Sequence, residues 1–215
     1  MDSSVPCTIY HILSDEYDLA SSRDEFLHFE TPYQILIATI LSAQTTDRCV
    51  NQVTRILFSR YHDPASLSVA SPAEVEEIIH ATGFFRTKAR NIIAAAKVLE
   101  QSFGGQVPDR IEQLLTIPGV GRKTANIVIH HAFGRSEGIA VDTHVKRVST
   151  RLGLSCHTDP DHIEQDLLRI FPPGVWGDIN GLFILHGRKI CRARKPDCSH
   201  CVLHELCTYA EVNSS

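Results

Sequence analysis

Four cysteines, Cys191, Cys198, Cys201 and Cys207, fall in one 17-residue stretch with the spacing C-x6-C-x2-C-x5-C. Thiolates this close together can enclose one metal centre, and sulfur ligation alone leaves iron–sulfur and zinc both open. Zinc folds more often pair two C-x2-C knuckles, whereas only Cys198 and Cys201 form one here. The chain has seven cysteines, an odd number, so the group reads as metal ligands in a reducing compartment more readily than as disulfides. Cys7, Cys49 and Cys156 stand apart and are expected to be small buried residues. His200 and His204 read as ordinary surface histidines.

Two other segments bring charged groups to helix boundaries. In Ile117-Pro118-Gly119-Val120-Gly121-Arg122-Lys123 a short helix ends before the proline, two glycines flank one apolar residue, and a new helix begins. Glycines let the main chain approach a ligand closely, and the unpaired N–H groups of the new helix suit a phosphate. A plain helix–turn–helix corner is the alternative, and Arg122 and Lys123 favour the anion. In Ala140-Val141-Asp142-Thr143-His144 a carboxylate stands where an apolar run meets an amphipathic helix with Val145, Val148 and Leu152 on its buried face. Asp142 reads as an N-cap, which does not preclude a chemical role.

The elements that must carry these groups are helical nearly throughout. Thr31-Pro32 looks like a cap followed by proline at the first helical position, and Ile35, Leu36, Ile37, Ala38, Ile40 and Leu41 make that helix too apolar for the surface. Asp47 is expected to cap the next helix, Ser71-Pro72-Ala73-Glu74 to form a capping box, and Gly83 to end that helix. A helix through Ala89 to Phe103 should stop at Gly104-Gly105, and Pro108-Asp109 should open a short one through Leu115. No sustained strand alternation and no convincing repeat is present, so the fold class is all-α.

The 215 residues allow one large or two small domains. A net charge of −4 argues at first against nucleic acid, but it hides an asymmetry. Residues 1–30 hold Asp2, Asp15, Glu16, Asp18, Asp24, Glu25 and Glu30 against Arg23 alone, a net of −6 that leaves +2 for the other 185. Basic residues cluster at Arg188 to Lys195, at Arg122 to Arg151, and at Arg86, Lys88 and Arg90. The acidic start lacks the features of a secretory or transit peptide, and no stretch is long and apolar enough for a membrane span, so the expectation is a cytoplasmic protein, nucleoid-associated, without membrane contact.

The run from Ile117 to Phe133, the segment Ala140 to Arg147 and the cysteine group, in this order, resemble the helix-hairpin-helix DNA glycosylases, and most closely the endonuclease III family. Leu41-Ser42-Ala43-Gln44-Thr45-Thr46-Asp47 and Ile184-Leu185-His186-Gly187-Arg188 extend the likeness over nearly the whole chain. The resemblance implies two helical domains with a DNA-binding groove between them: one over 25–135, the other discontinuous, from 1–24 and 136–215, carrying the cluster. It implies a bifunctional glycosylase and abasic-site lyase that excises oxidised pyrimidines, with relatives specialised for mismatched or alkylated bases, or a non-catalytic DNA-binding protein, as the rivals. Lys123 would form a Schiff base with the sugar, and Asp142 would stabilise positive charge or assist proton transfer across the groove. A desolvated pocket around Lys123 would keep the amine neutral enough to attack. Gln44 would fill the space of an extruded base, with Phe84 as an apolar wedge where leucine is more usual. Gly119, Val120, Gly121, Arg122, His144, Arg192, Arg194 and Lys195 complete the expected DNA contacts. The four cysteines would hold one [4Fe-4S] cluster, and the partner of a monomeric protein would be double-stranded DNA with damaged bases or abasic sites.

Overall fold

The computed structural model describes residues 4–213, so Asp2 of the acidic N-terminal segment lies outside the described residues. In chain order the α-helices are α1 (Ser4–Glu16), α2 (Pro32–Leu41), α3 (Asp47–Arg60), α4 (Pro64–Ser68), α5 (Pro72–Ile79), α6 (Phe85–Phe103), α7 (Ile111–Leu114), α8 (Arg122–Phe133), α9 (Thr143–Arg151), α10 (Pro160–Ile170), α11 (Trp176–Lys189) and α12 (Thr208–Asn213). Short 3-10 turns join several of them, and no strand occurs among the described residues. The all-α expectation holds. None of these helices is long and apolar enough to cross a membrane. The chain divides into two compact units, one spanning Arg23–Arg135, the other combining the chain up to Ser22 with everything from Ser136 onward.

The Arg23–Arg135 unit is built around α2. Thr31 accepts the Gln34 N–H at 3.2 Å and Pro32 opens the helix, so local chemistry starts it as the sequence indicates. Ile35, Leu36, Ile37, Ile40 and Leu41 are all buried, and each is worth roughly 1.5–3 kcal/mol relative to exposure. Around them lie Val50 and Leu57 of α3, Leu67 of α4, Val75 and Ile79 of α5, Ile92 and Leu99 of α6, and Ala125 and Val128 of α8.

The discontinuous unit buries Ile9 and Leu13 of α1, Val145 and Val148 of α9, Ile163 and Leu167 of α10, and Ile179, Leu182 and Phe183 of α11. Phe171 and Phe183 meet edge to face at 6.3 Å. The Tyr10 hydroxyl donates to Asp178 at 3.1 Å, linking α1 to α11 across 168 residues of sequence.

Several local expectations are corrected. Thr46, not Asp47, caps α3, accepting from the Cys49 N–H at 3.4 Å, and Asp47 becomes the first helical residue. Ser71 precedes α5 but makes no side-chain cap bond. Its intended partner Glu74 instead accepts from Arg60 at 2.8 Å and from the Tyr61 hydroxyl at 2.9 Å, contacts that local sequence does not announce. Asp109 does not start α7, because its carboxylate takes the Arg135 guanidinium at 3.1 Å and the helix begins two residues later. Beyond α5, a 3-10 turn over His80–Thr82 precedes the Gly83 stop. Cys7 and Cys49 are half-buried and Cys156 is exposed, so none is the fully buried small residue expected.

Candidate active site and cysteine pocket

The Val120 N–H bonds the Ile117 carbonyl at 3.1 Å and closes the turn between α7 and α8. Gly119 there has φ +83°, and a Cβ would stand 3.2 Å from both Asn91 Cβ and Ile40 Cγ2. The positive φ favours glycine, and the surroundings leave little room for a side chain. Gly121 has an ordinary extended backbone, so the unusual conformation belongs to Gly119 alone. As N-cap of α8 Gly121 supplies no side-chain acceptor to the first turn, the arrangement a backbone phosphate site would use. The Val120 side chain is buried, so only its main chain is available to a ligand. Arg122 is half-buried and Lys123 is exposed at the second helical position.

In the discontinuous unit Asp142 is the N-cap of α9. Its Oδ1 accepts the N–H groups of His144 and Val145, both at 2.8 Å. An ionised carboxylate has about four acceptor positions, so the cap leaves capacity for other work. The His144 ring is held by Arg147, whose Nη2 lies 3.0 Å from Nδ1.

Among the described residues three non-glycine residues have positive φ: Gln44 at 54°, Phe84 at 47° and Lys195 at 52°. Each is exposed and each belongs to the expected set of DNA contacts. Such conformations cost roughly 1–3 kcal/mol, persist only where the surroundings enforce them, and gather at ligand clamps. Phe84 is 70% exposed, whereas Phe85 packs against the core and lies 4.4 Å from the His80 ring. One phenylalanine of the pair therefore points outward, as the turn's sequence suggests.

The four C-terminal cysteines, none in a disulfide, line a single pocket together with Val148, Arg151 and His186. As the side chains stand, no three His, Cys, Asp or Glu groups among the described residues are arranged to hold a metal ion. The thiols share a cavity without forming a ready coordination shell. Arg151 Nη1 donates to Cys191 Sγ at 3.4 Å and to the Arg192 carbonyl at 2.8 Å, while the Arg151 carbonyl accepts from Cys207 Sγ at 3.4 Å. One residue thus grips the first and last cysteines. His186, buried to 1% exposure, lies 3.6 Å from Cys201 Sγ through Nε2 and 3.0 Å from the Tyr17 hydroxyl through Nδ1. Burial pushes His186 down to about 4, so its ring is neutral. Burial also pushes the Tyr17 hydroxyl above its ordinary range, so both partners of this buried contact are neutral. Burial pushes the Cys201 thiol up to about 11, an environment in which a thiolate needs a cationic centre beside it. His200 and His204 are not among the pocket residues; each instead pairs with a carboxylate, Asp197 at 2.8 Å and Glu205 at 3.2 Å.

Arg192, Arg194 and Lys195 are exposed between the first two cysteines, as a phosphate-facing loop requires. Other members of the basic runs are committed elsewhere. Arg147 donates to the carbonyls of Cys191 at 2.9 Å and Gly187 at 2.9 Å, and Lys88 is buried, so neither is a free surface cation. His186, Arg151 and Lys88 are important residues that a reading of charge runs misses.

The family model described as HhH-GPD superfamily base excision DNA repair protein matches residues 37–173. Endonuclease III of Synechocystis is 52% identical over 187 residues, covering 87% of this chain and 85% of that protein. Endonuclease III of Escherichia coli is 40% identical over 185 residues, with 86% and 87% covered. Among solved structures, a trapped endonuclease III–DNA covalent intermediate superposes with a TM-score of 0.87 at 38% identity, covering 98% of this chain and 99% of that one. A thermostable thymine-DNA glycosylase follows at 0.81 and 27% identity, with 98% and 95% covered. With the family model matching more than half of the chain and the relatives aligned over more than four fifths of it, the chain belongs to the endonuclease III family of the HhH-GPD superfamily of base excision DNA repair proteins.

Proposed function

We propose that Lys123 is the amine nucleophile and Asp142 the catalytic carboxylate of this chain, acting on oxidised pyrimidines in double-stranded DNA. By its family the chain is a bifunctional DNA glycosylase and abasic-site lyase of base excision repair. The observation that carries the residue assignment is the position of Lys123: exposed in the first turn of a helix that follows a glycine turn and has a glycine N-cap. A lysine there can reach a sugar whose phosphate rests on the helix end. The similar endonuclease III has been trapped as a covalent intermediate with DNA, which supports the same kind of attack here.

In this reading the neutral Lys123 amine attacks C1′ as the C1′–N bond to the damaged base breaks. The departing base takes up a proton, the amine gives up its own, and the C1′–O4′ bond opens with protonation of O4′ to give an imine, which acidifies the C2′ hydrogen. Removal of that proton expels the 3′ phosphate and cuts the strand. Asp142 stabilises positive charge developing on the sugar or moves a proton. Since the protein leaves Lys123 exposed, exclusion of water around it falls to the bound DNA. Gln44 and Phe84 enter the stack vacated by the extruded nucleotide. Gly119, the Val120 main chain, Gly121, Arg122, His144, Arg192, Arg194 and Lys195 hold the backbone, and the protein works as a monomer in the cytoplasm at the nucleoid.

The test is a panel of duplexes carrying an oxidised pyrimidine, a thymine–guanine mismatch or an alkylated adenine. The expected result is removal of the oxidised pyrimidine with strand cutting that needs no alkali. Excision that leaves the strand intact until alkali is added overturns the lyase assignment. Preference for the mismatch moves the chain toward the thymine-DNA glycosylase it also resembles, and no excision of any base leaves only a binding role.

Cys191, Cys198, Cys201 and Cys207 are the residues that would hold a [4Fe-4S] cluster. Four reduced thiols in one cavity, with an arginine and a neutral imidazole directed at two of the sulfurs, fit such a group. When bound, the cluster would cross-link the loop that carries Arg192, Arg194 and Lys195. The purified protein is expected to be brown, with iron and acid-labile sulfide near four per chain. Colourless protein loaded with zinc would refute the cluster.

A further inference from the structure

Lys88 is 5% exposed, although it sits between exposed Arg86 and Arg90. From the first turn of α6 its Nζ donates to the Thr45 hydroxyl at 2.6 Å and to the Thr82 carbonyl at 2.8 Å. The Thr45 hydroxyl donates to the same Thr82 carbonyl at 2.6 Å. One ammonium group thus joins the turn after α2 to the turn before α6. Thr45 directly follows Gln44, and Thr82 precedes Gly83 and Phe84. The Lys88 N–H also bonds the Phe84 carbonyl at 3.0 Å, so the residue holds the Gly83–Phe84 pair from both sides.

That pair needs holding. Gly83 has φ 67° and ψ 159°, a region essentially restricted to glycine, and Phe84 follows in the left-handed region at φ 47° and ψ 26°. Across the tie Gln44 has φ 54°. Both side chains are exposed while the bonds beneath them are largely sheltered. A buried ammonium on neutral oxygens is an expensive means of stabilising a fold, because desolvation opposes the charge and lowers the Lys88 pKa. An apolar side chain of similar length fills such a space at less cost. The arrangement is explained by what it fixes on the surface.

We propose that Lys88 is a positioning residue for lesion recognition, locking Gln44 and Phe84 to one another so that both enter the DNA stack together. The inference rests on the reading of those two side chains as inserting residues. Without the tie, each turn relaxes toward ordinary backbone, and the two side chains present themselves independently.

The test measures affinity for a duplex with a tetrahydrofuran abasic-site analogue and for the same duplex undamaged. Wild type is compared with Lys88→Met, Thr45→Val, Gln44→Ala, Phe84→Ala and the triple variant that adds Lys88→Met to both alanines. Lys88→Met should reduce the lesion-to-undamaged affinity ratio about tenfold, the scale of one lost stacking contact, with undamaged affinity unchanged. Added to the two alanine substitutions, it should change nothing further, because no inserting groups remain to position. Thr45→Val, which breaks the same tie with the lysine in place, should act in the same direction and decides the matter if Lys88→Met does not fold. A preserved ratio in the tie variants, or equal losses on both duplexes, overturns the positioning role while the insertion reading stands on its alanine variants. Unchanged ratios in Gln44→Ala and Phe84→Ala remove the insertion reading and this inference with it.

Discussion

Lys123→Gln should abolish the adduct that borohydride traps between the protein and abasic-site DNA. Borohydride reduces an imine to a stable amine, so it reports only an amine that has condensed with the opened sugar. Glutamine keeps much of the length and polarity of lysine without a nucleophilic amine. Because Lys123 is exposed and glutamine forms helices nearly as well, α8 should be undisturbed. Removing a positive charge near a helix N-terminus is, if anything, slightly favourable there. Strand cutting should therefore fall by about 1,000-fold or more with the melting temperature held, a loss of chemistry and not of fold. An adduct of wild-type intensity in the variant would assign the nucleophile to another amine and end the case for Lys123.

Asp142→Asn should lower turnover about 100-fold or more while leaving stability nearly intact. The two hydrogen bonds that Asp142 accepts come from main-chain N–H groups, and an asparagine oxygen can accept both. Only the negative charge and its proton-accepting capacity disappear. Asp142→Ala removes the cap as well, adding about 1 kcal/mol of destabilisation to the same catalytic loss. Paired melting curves and single-turnover rates therefore separate the roles. If the asparagine variant turns over like wild type, the carboxylate is a helix cap and nothing more.

What could be read in the sequence depended on how local its cause was. Thr31-Pro32 and Gly104-Gly105 mark their helix ends because the capping bond or the left-handed residue lies within a few positions. Helical periodicity was equally plain, so the all-α class was legible. Glu74 departs from the capping box because its partners Arg60 and Tyr61 lie 14 and 13 residues away. Arg151 reads as one more cation in a basic run, yet its partners on the cysteine loop are 40 to 42 residues distant. Lys88 is the extreme case, since its neighbours Arg86 and Arg90 are solvated and its hydroxyl partner Thr45 lies 43 residues away. The order of three motifs identified the family where charge and composition pointed the other way. The net charge counted Arg147 and Lys88 as available to DNA, when both are engaged inside their own units.

The joining of α1 to α11 also sets an order of events during synthesis. The Arg23–Arg135 unit is continuous in sequence, so every helix it needs has been made before α9 begins. The first helix has no such advantage. Its contacts to Asp178 and the adjoining Tyr17 contact to His186 span 168 and 169 residues. Chain growth runs from the N-terminus, and segments fold when their partners exist. The helix made first therefore finds its partner among the last, and the cysteine pocket closes later still, after Cys207 has been added. The unit that carries the hairpin is synthesised in one continuous stretch, while the unit that carries the thiols needs segments from either side of it.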